Sequence, residues 1–91
     1  MPVAILYELP GMTQAQYDRL MREAFNDKLA PGVISHSAGP MEGGWWAVDV
    51  FESQEAADRV GQQLLPGLQA LGVTQPPRLT PRQVHNTLTR S

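Results

Sequence analysis

The sequence contains no cysteine, which excludes disulfide bonds, thiolate metal ligands and a cysteine nucleophile. It also has no apolar run that approaches the roughly 20 residues a membrane-spanning helix needs. The first residues read as a strand and lack the basic, apolar and small-residue order of a signal peptide, so we expect none. These absences favour a soluble cytoplasmic protein that does not bind membranes.

Neither sign of charge is in large excess, because nine acidic residues face seven lysines and arginines, for a net charge of -2. All nine acidic residues fall within residues 1–58, whereas residues 59–91 carry four arginines and no acid. The arginines are spread along this segment, unlike the basic clusters with interleaved aromatics of nucleic-acid-binding surfaces. We therefore expect no nucleic-acid partner, while attraction of an anionic small ligand or an acidic patch on a partner is left open.

The hydrophobic pattern predicts six elements in the order βαββαβ. Thr13 is the expected N-cap of the first helix, with Gln16 at capping-box spacing, and Ser53 is the expected N-cap of the second. Pro66 predicts a kink or a break in the second helix, and Pro81 predicts an edge position for the last strand. The predicted strands span residues 3–9, 33–38, 45–52 and 78–86, and residues 87–91 are expected to fray.

The third predicted strand is apolar on both faces. One face carries Trp46, Val48 and Val50, and the other carries Trp45, Ala47 and Phe51. Two helices cover only one face of a four-stranded sheet, so the second face would be an exposed apolar patch unless a second copy packs against it. We therefore predict one domain over residues 1–91, with an ordered core at about 3–86, that forms a homodimer.

Three segments stand at element boundaries of this pattern. They are Pro10-Gly11-Met12-Thr13 before the first helix, Gly43-Gly44-Trp45 at the third strand, and Asp49-Val50-Phe51-Glu52-Ser53 before the second helix. With the element order, they resemble the dimeric α+β barrel superfamily, and within it the small bacterial proteins near the antibiotic-biosynthesis monooxygenase (ABM) domains. The resemblance implies a ferredoxin-like α+β fold, with a four-stranded antiparallel sheet, two helices on one face, and the sheets of two subunits packed face to face.

The resemblance is less specific for activity than for fold. Members of the superfamily include cofactor-free monooxygenases of aromatic polyketides, haem-degrading enzymes, cyclases, decarboxylases and stress-related proteins with no assigned reaction. Haem-degrading members pair a strand asparagine with a tryptophan and a helix histidine. Here the first strand has no asparagine and neither predicted helix has a histidine, which disfavours haem degradation. The resemblance thus implies a pocket between sheet and helices that takes a hydrophobic or aromatic small molecule without a cofactor.

His36 and Asp49 are the candidate catalytic residues. A hairpin loop over residues 40–43 would place His36 opposite Ala47 and diagonal to both Trp45 and Asp49, with all four on one face. A histidine held by a carboxylate suits a general base near neutral pH, with Asp49 to orient the ring and Trp45 to wall the pocket. A one-residue slip in register would separate them. The alternative is a partly buried histidine with a purely structural role.

Asp49 interrupts an apolar strand, and a buried carboxylate needs a partner. His36, Arg82 and His85 are the candidate partners, and a structural ion pair is as compatible with the pattern as catalysis. His85 and Asn86 are predicted to close the last strand on opposite faces. The candidate substrate-binding residues are Trp45, Tyr7, Phe51, His85 and Asn86. No metal site is predicted, because His36, Asp49 and His85 would form one only if their strands converged.

The sequence is thus compatible with three functions. The first is a cofactor-independent monooxygenase or a cyclase-type enzyme, in which His36 is the base. The second is a non-catalytic ligand-binding or stress-associated barrel, in which His36 and Asp49 are structural. The third is a subunit that acts only within a larger assembly.

Overall fold

The computed structural model of the chain describes residues 1–89. It contains the six predicted elements in the predicted order, which are β1 (Val3–Pro10), α1 (Gln14–Phe25), β2 (Val33–Met41), β3 (Gly44–Phe51), α2 (Gln54–Ala70) and β4 (Arg78–Gln83). Residues 90 and 91, at the end of the segment expected to fray, lie outside the described residues. In the described part of the chain, no helix is long and apolar enough to cross a membrane.

Both helices begin at the predicted caps. The Thr13 hydroxyl accepts a hydrogen bond from the Gln16 backbone N–H at 3.2 Å, and the Gln16 side chain accepts one from the Thr13 backbone N–H at 3.0 Å. The Ser53 hydroxyl accepts from the Ala56 N–H at 3.2 Å. These bonds satisfy N–H groups that the first helical turn leaves without partners, so short sequence motifs set where each helix starts.

The strands form one antiparallel sheet in the order β2-β3-β1-β4. The strand that contains Pro81 lies at the edge, as its missing N–H predicts. The core lies between the sheet and the helices. It is built from Ile5, Tyr7, Leu9, Ala47 and Phe51 of the sheet, Met12 of the connecting segment, Leu20 of α1, and Ala56, Ala57, Val60, Leu64 and Leu68 of α2.

The β2–β3 hairpin is tighter than the predicted four-residue loop. Met41 pairs with Gly44, so the turn contains only Glu42 and Gly43, and Gly43 has a φ of 77°. Two-residue hairpin turns require positive φ, which glycine adopts without steric cost. The pairing is therefore two residues away from the prediction, and His36 lies opposite Asp49 instead of Ala47. A shift of two residues leaves every side chain on its predicted face.

Two other sequence expectations need correction. The second helix does not break at Pro66 but continues to Ala70, and Pro66 is exposed on it. The ring therefore projects toward solvent, and its missing N–H removes only one hydrogen bond of the helix. The last strand ends at Gln83 instead of reaching residue 86, so His85 and Asn86 lie beyond the sheet and are exposed.

The face of the sheet opposite the helices has no cover within the described residues. Trp46, Val48 and Val50 of β3 are half-buried there, and Leu6 of β1 is 37% exposed. On the helix side, by contrast, Ala47, Asp49 and Phe51 are buried. We call the surface formed by Leu6, Trp46, Val48 and Val50 the open face.

Candidate functional site

Asp49 is the only charged residue buried in the core of the described chain, and it is 6% exposed. It lies on β3 and faces the helices, between Ala47 and Phe51 on the same side of the strand. A carboxylate in such a position is costly unless it is paired and hydrogen-bonded. Of its three candidate partners, the structure places His36 against it.

His36 contacts groups on two different elements. Its Nδ1 forms a short hydrogen bond with Oδ1 of Asp49, the residue directly opposite on β3. Its Nε2 lies 2.6 Å from the hydroxyl oxygen of Tyr17 on α1. When the ring is neutral, Nδ1–H donates to the carboxylate and Nε2 accepts the tyrosine proton, since a carboxylate only accepts. We call these three side chains the Asp49–His36–Tyr17 array.

Tyr17 completes this array and was not among the predicted site residues. Its ring plane lies within 2° of the His36 ring plane, with centroids 6.0 Å apart, so the two rings meet edge to edge through their hydrogen bond. The Trp45 ring packs on it from another side, with centroids 5.5 Å apart. Burial, together with the negative charge of Asp49, raises the pKa of Tyr17 above its usual value. Tyr17 therefore stays protonated at neutral pH and is available as a hydrogen-bond donor.

Two adjoining cavities lie between the sheet and the helices, and each has a volume of about 40 Å³. The inner cavity is lined by Tyr7, Leu9, Tyr17, Leu20, Met21, Phe25, His36, Ala47, Asp49, Val60 and Leu64. The outer cavity shares five of these residues and adds Lys28, Leu29, Ala30 and Val33. His36 and Asp49 border both. The array thus forms a polar wall in an otherwise largely apolar space.

Tyr7 reaches the inner cavity from β1 and is 3% exposed. Its hydroxyl approaches the Asp49 carboxylate in a contact that falls outside regular hydrogen-bond geometry. Burial, then the negative charge of Asp49 and the hydrogen-bonding contact with it, raise the pKa of Tyr7 well above its usual value. The hydroxyl is therefore a protonated donor for which the Asp49 carboxylate is an acceptor.

The remaining predicted site residues are dispersed. Trp45 packs on Tyr17 and lines neither cavity, and its buried indole N–H has no partner among the described residues. Phe51 is fully buried in the core. His85 and Asn86 are exposed and line neither cavity, so His85 is not the partner of Asp49. Arg82 is also exposed, and it donates to its neighbour's carbonyl.

No group of three or more histidine, aspartate or glutamate side chains within residues 1–89 is arranged to hold a metal ion. The possible site of His36, Asp49 and His85 does not form, because His85 lies past the end of β4. Sequence reasoning had only one signal for Tyr17, its place in the apolar stripe of α1. That stripe shows which helix face is buried but not which strand residue each side chain meets.

No protein-family model matches the chain, and no curated protein matches it in sequence. Several solved structures match its fold. A protein of unknown function from Nitrosomonas europaea has a TM-score of 0.77 at 15% identity, over 99% of this chain and 95% of the other. The structure of a mutant of SnoaB, a cofactor-independent oxygenase from Streptomyces nogalater, matches with a TM-score of 0.62 at 18% identity. The match covers 98% of this chain and 96% of the other.

A monooxygenase from the gene ActVA-Orf6 of Streptomyces coelicolor, in complex with the ligand nanaomycin D, has a TM-score of 0.60 at 21% identity, over 99% of this chain and 92% of the other. At these identities the likeness concerns the fold. The chain therefore has the ferredoxin-like α+β fold of these oxygenases, which is the fold that the sequence resemblance implied.

Proposed function

We propose that this protein binds a small hydrophobic or aromatic molecule between its sheet and its helices and catalyses a proton transfer on it, with His36 as the base. One observation carries this proposal. The Asp49–His36–Tyr17 array stands in the wall of a largely apolar cavity, where water competes little with its hydrogen bonds. A base held by a carboxylate in such a place is suited to removing a proton from an acidic C–H or O–H group of a bound molecule.

The array supports a relay of two protons, one from the substrate to Tyr17 and one from Tyr17 to His36. Nε2 of His36 already accepts the Tyr17 hydroxyl, so a substrate meets the tyrosine oxygen before it meets the histidine. As the substrate gives its proton to that oxygen, the Tyr17 proton passes to Nε2. Asp49 then stabilises the imidazolium that forms, while it keeps the ring oriented. Trp45 acts through Tyr17, whose ring it holds in place.

The structural neighbours support oxygenation as the reaction that follows. Two of them are an oxygenase and a monooxygenase, and one was crystallised with nanaomycin D. For an activated methylene group, removal of a proton gives a carbanion that reacts with dioxygen. The overall change converts CH₂ and O₂ to C=O and H₂O, so the substrate supplies all the electrons. We propose that no cofactor takes part.

The α-hydrogens of 2′-hydroxyacetophenone, a single-ring ketone, provide a direct test of proton transfer. In deuterium oxide, NMR would follow their exchange in the presence of the protein. We expect the wild type to catalyse exchange and His36→Ala to lose about 100-fold or more of that rate. His85→Ala is the matched histidine variant, because His85 is exposed and lines neither cavity. Equal loss in both variants, or none in either, would contradict the role of His36.

A second candidate is a ligand-binding protein without catalysis. The observation that favours it is that both ring nitrogens of His36 are occupied, by Asp49 and by Tyr17. In that case 2′-hydroxyacetophenone or nanaomycin D would bind, but the protein would cause no exchange and consume no oxygen.

We also propose that the protein acts as a homodimer in which the open faces of two copies meet. Three of the four side chains on the open face are half-buried and the fourth is 37% exposed, with no residue of the described chain above them. Contiguous apolar surface of this kind marks interaction sites. A second copy presents the same surface, which a two-fold axis can pair with itself.

A further inference from the structure

Asp49 has a polar neighbour on each of the two strands beside it. β3 lies between β2 and β1, and on the helix side of the sheet His36 stands directly opposite Asp49 on β2. On β1, Ile5 stands opposite Asp49, and Tyr7 is the next residue on the same face. Tyr7 and Asp49 are 3% and 6% exposed, and both line the inner cavity. An imidazole and a phenol hydroxyl therefore approach one carboxylate from opposite sides.

The carboxylate has room for both donors. Its two oxygens accept up to about four hydrogen bonds, whereas the only regular hydrogen bond to the Asp49 side chain within residues 1–89 comes from His36. Burial, and then the charge of Asp49 and the contact with it, raise the pKa of Tyr7, so its hydroxyl keeps its proton. That hydroxyl has no regular partner in the described chain. The free acceptor sites of Asp49 and the free donor of Tyr7 thus meet in the same buried place.

Few titratable groups surround His36. Those that line the two cavities with it are Tyr7 of β1, Asp49 of β3, Tyr17 of α1 and Lys28 of the segment after α1. α2 contributes only the apolar side chains of Val60 and Leu64. Asp18 and Asp27 act by their charge on Tyr17. Asp49 is therefore the anion that contacts the imidazole, and Tyr7 is the donor placed to moderate it.

The charge that Asp49 places on the imidazole decides whether His36 can act as a base. A carboxylate that places its whole charge on one imidazole favours the imidazolium form. An imidazolium has donors at both ring nitrogens and cannot accept the Tyr17 proton. A second donor on the carboxylate neutralises part of its charge, so less of that charge is left to hold a proton on the ring. A base that is neutral at the working pH is the more effective one.

We propose that Tyr7 is a positioning residue of the Asp49–His36–Tyr17 array: its hydroxyl donates to Asp49, shares the carboxylate charge with His36, and keeps the imidazole neutral and able to accept a proton. Tyr7 acts on the reaction only through Asp49. This inference rests on the proposed function, since it concerns the control of the same base.

NMR of the histidine rings tests the proposal without a substrate. The chain has two histidines, and His85 is exposed, so a ring N–H proton that is protected from exchange with water belongs to His36. In Tyr7→Phe we expect the Nδ1–H proton of His36 to resonate farther downfield than in the wild type, because Asp49 then places its charge on one donor.

Ile5→Val is the matched control for this measurement. It removes one carbon from the same face of β1, directly opposite Asp49, and removes no hydrogen bond. We expect its His36 signal to stay at the wild-type position. A signal in Tyr7→Phe that stays in place or moves upfield would overturn the inference, and so would an equal downfield move in Ile5→Val.

The pH dependence of hydrogen exchange in 2′-hydroxyacetophenone connects this effect to the reaction. As the pH falls, the rate declines when His36 becomes protonated. In Tyr7→Phe we expect the decline to begin about half a pH unit or more above that of the wild type, because the undivided charge of Asp49 holds the imidazolium. A decline at the same pH in both proteins would overturn the inference. A wild type that causes no exchange would contradict the proposed function, whereas the Nδ1–H signal would still decide whether Tyr7 shares the charge of Asp49.

Discussion

Asp49 brings a negative charge into the middle of an apolar sheet, and the structure compensates for it with one histidine. His36 lies directly opposite on β2, so the pair forms within a hairpin of nearby residues. The ring of His36 is then fixed at its other nitrogen by Tyr17. The same contacts that make the histidine suitable as a base also prevent an uncompensated buried charge. Stability and the proposed chemistry therefore depend on the same three side chains.

At this scale, His36→Ala is expected to lower the free energy of unfolding by about 1–3 kcal/mol, because Asp49 loses the partner of its buried charge. Urea denaturation at neutral pH would measure the change. The double variant His36→Ala with Asp49→Ala should be less destabilised than the sum of the two single variants, since the charge that needs compensation is gone. Simple additivity would mean that the pair contributes nothing beyond its separate packing.

The two tyrosines predict how stability changes in alkaline solution. Burial, and then the charge of Asp49, raises the pKa of Tyr7 and of Tyr17 above the usual value of about 10. Above that pH the unfolded chain loses these protons before the folded chain does. The contribution of the two tyrosines to the free energy of unfolding is therefore fully present below about pH 10 and falls progressively above it. Urea midpoints at about pH 9 and about pH 11 would show the fall. Tyr7→Phe should fall less steeply than the wild type, and an identical slope would contradict this account.

The contact between the two helices depends on one glycine of α2. A Cβ on Gly67 would lie 2.8 Å from Cδ1 of Leu20 on α1, and Leu20 is 4% exposed in the core. The missing side chain therefore lets α1 approach α2 and hold Tyr17 over the sheet. Gly61 lies on the same helix but has open space around its Cβ position. Substitutions at these two glycines therefore distinguish the cost of crowding between helices from the gain in intrinsic helix propensity.

Alanine at these positions should have different effects. Gly61→Ala is expected to raise stability by about 1 kcal/mol, which is the helix propensity that glycine lacks. Gly67→Ala gains the same propensity but crowds Leu20, which costs about 1–3 kcal/mol in a packed core. Thermal melting of both variants would measure the difference. Equal stabilisation by the two substitutions would show that α1 can move away from α2 without loss of stability.

At the scale of the whole molecule, both faces of the sheet carry apolar side chains, but the helices cover only one of them. The helices bury the face that carries Ala47, Asp49 and Phe51, while no helix within the described residues covers the open face. A chain of this length buries only about two thirds of its unfolded surface by itself. Burial of the open face would add to stability, and it would support β1 and β3, the two strands that carry Tyr7 and Asp49.

Leu6→Glu should convert the proposed dimer to a monomer, because a charge at the centre of an apolar interface loses its hydration without gaining a partner. Leu65→Glu is the matched control, since Leu65 is 55% exposed on α2, on the opposite side of the sheet. Light scattering after size-exclusion chromatography would give the mass of each protein. A wild type that elutes as a monomer, or a Leu6→Glu variant that stays dimeric, would contradict a dimer through the open face.

Features that depend on neighbouring residues could be predicted from the sequence alone. The capping box of Thr13 and Gln16 and the cap at Ser53 are local, so the helix starts were correct. Alternation along β3 placed Asp49 and Trp46 on opposite faces, and the predicted hairpin placed His36 of β2 on the same face as Asp49. The hairpin register was wrong by two residues, because several glycines and a proline offered more than one turn. The error kept its side chains on the correct faces because the strand period is also two.

Features that depend on how the helices lie over the sheet were decided only by the tertiary structure. Tyr17 meets His36 across 19 positions of the chain, and the helical stripe that buries Tyr17 does not specify this contact. Periodicity therefore determined which residues face inward, whereas the angle and depth of α1 on the sheet decided which of them meet.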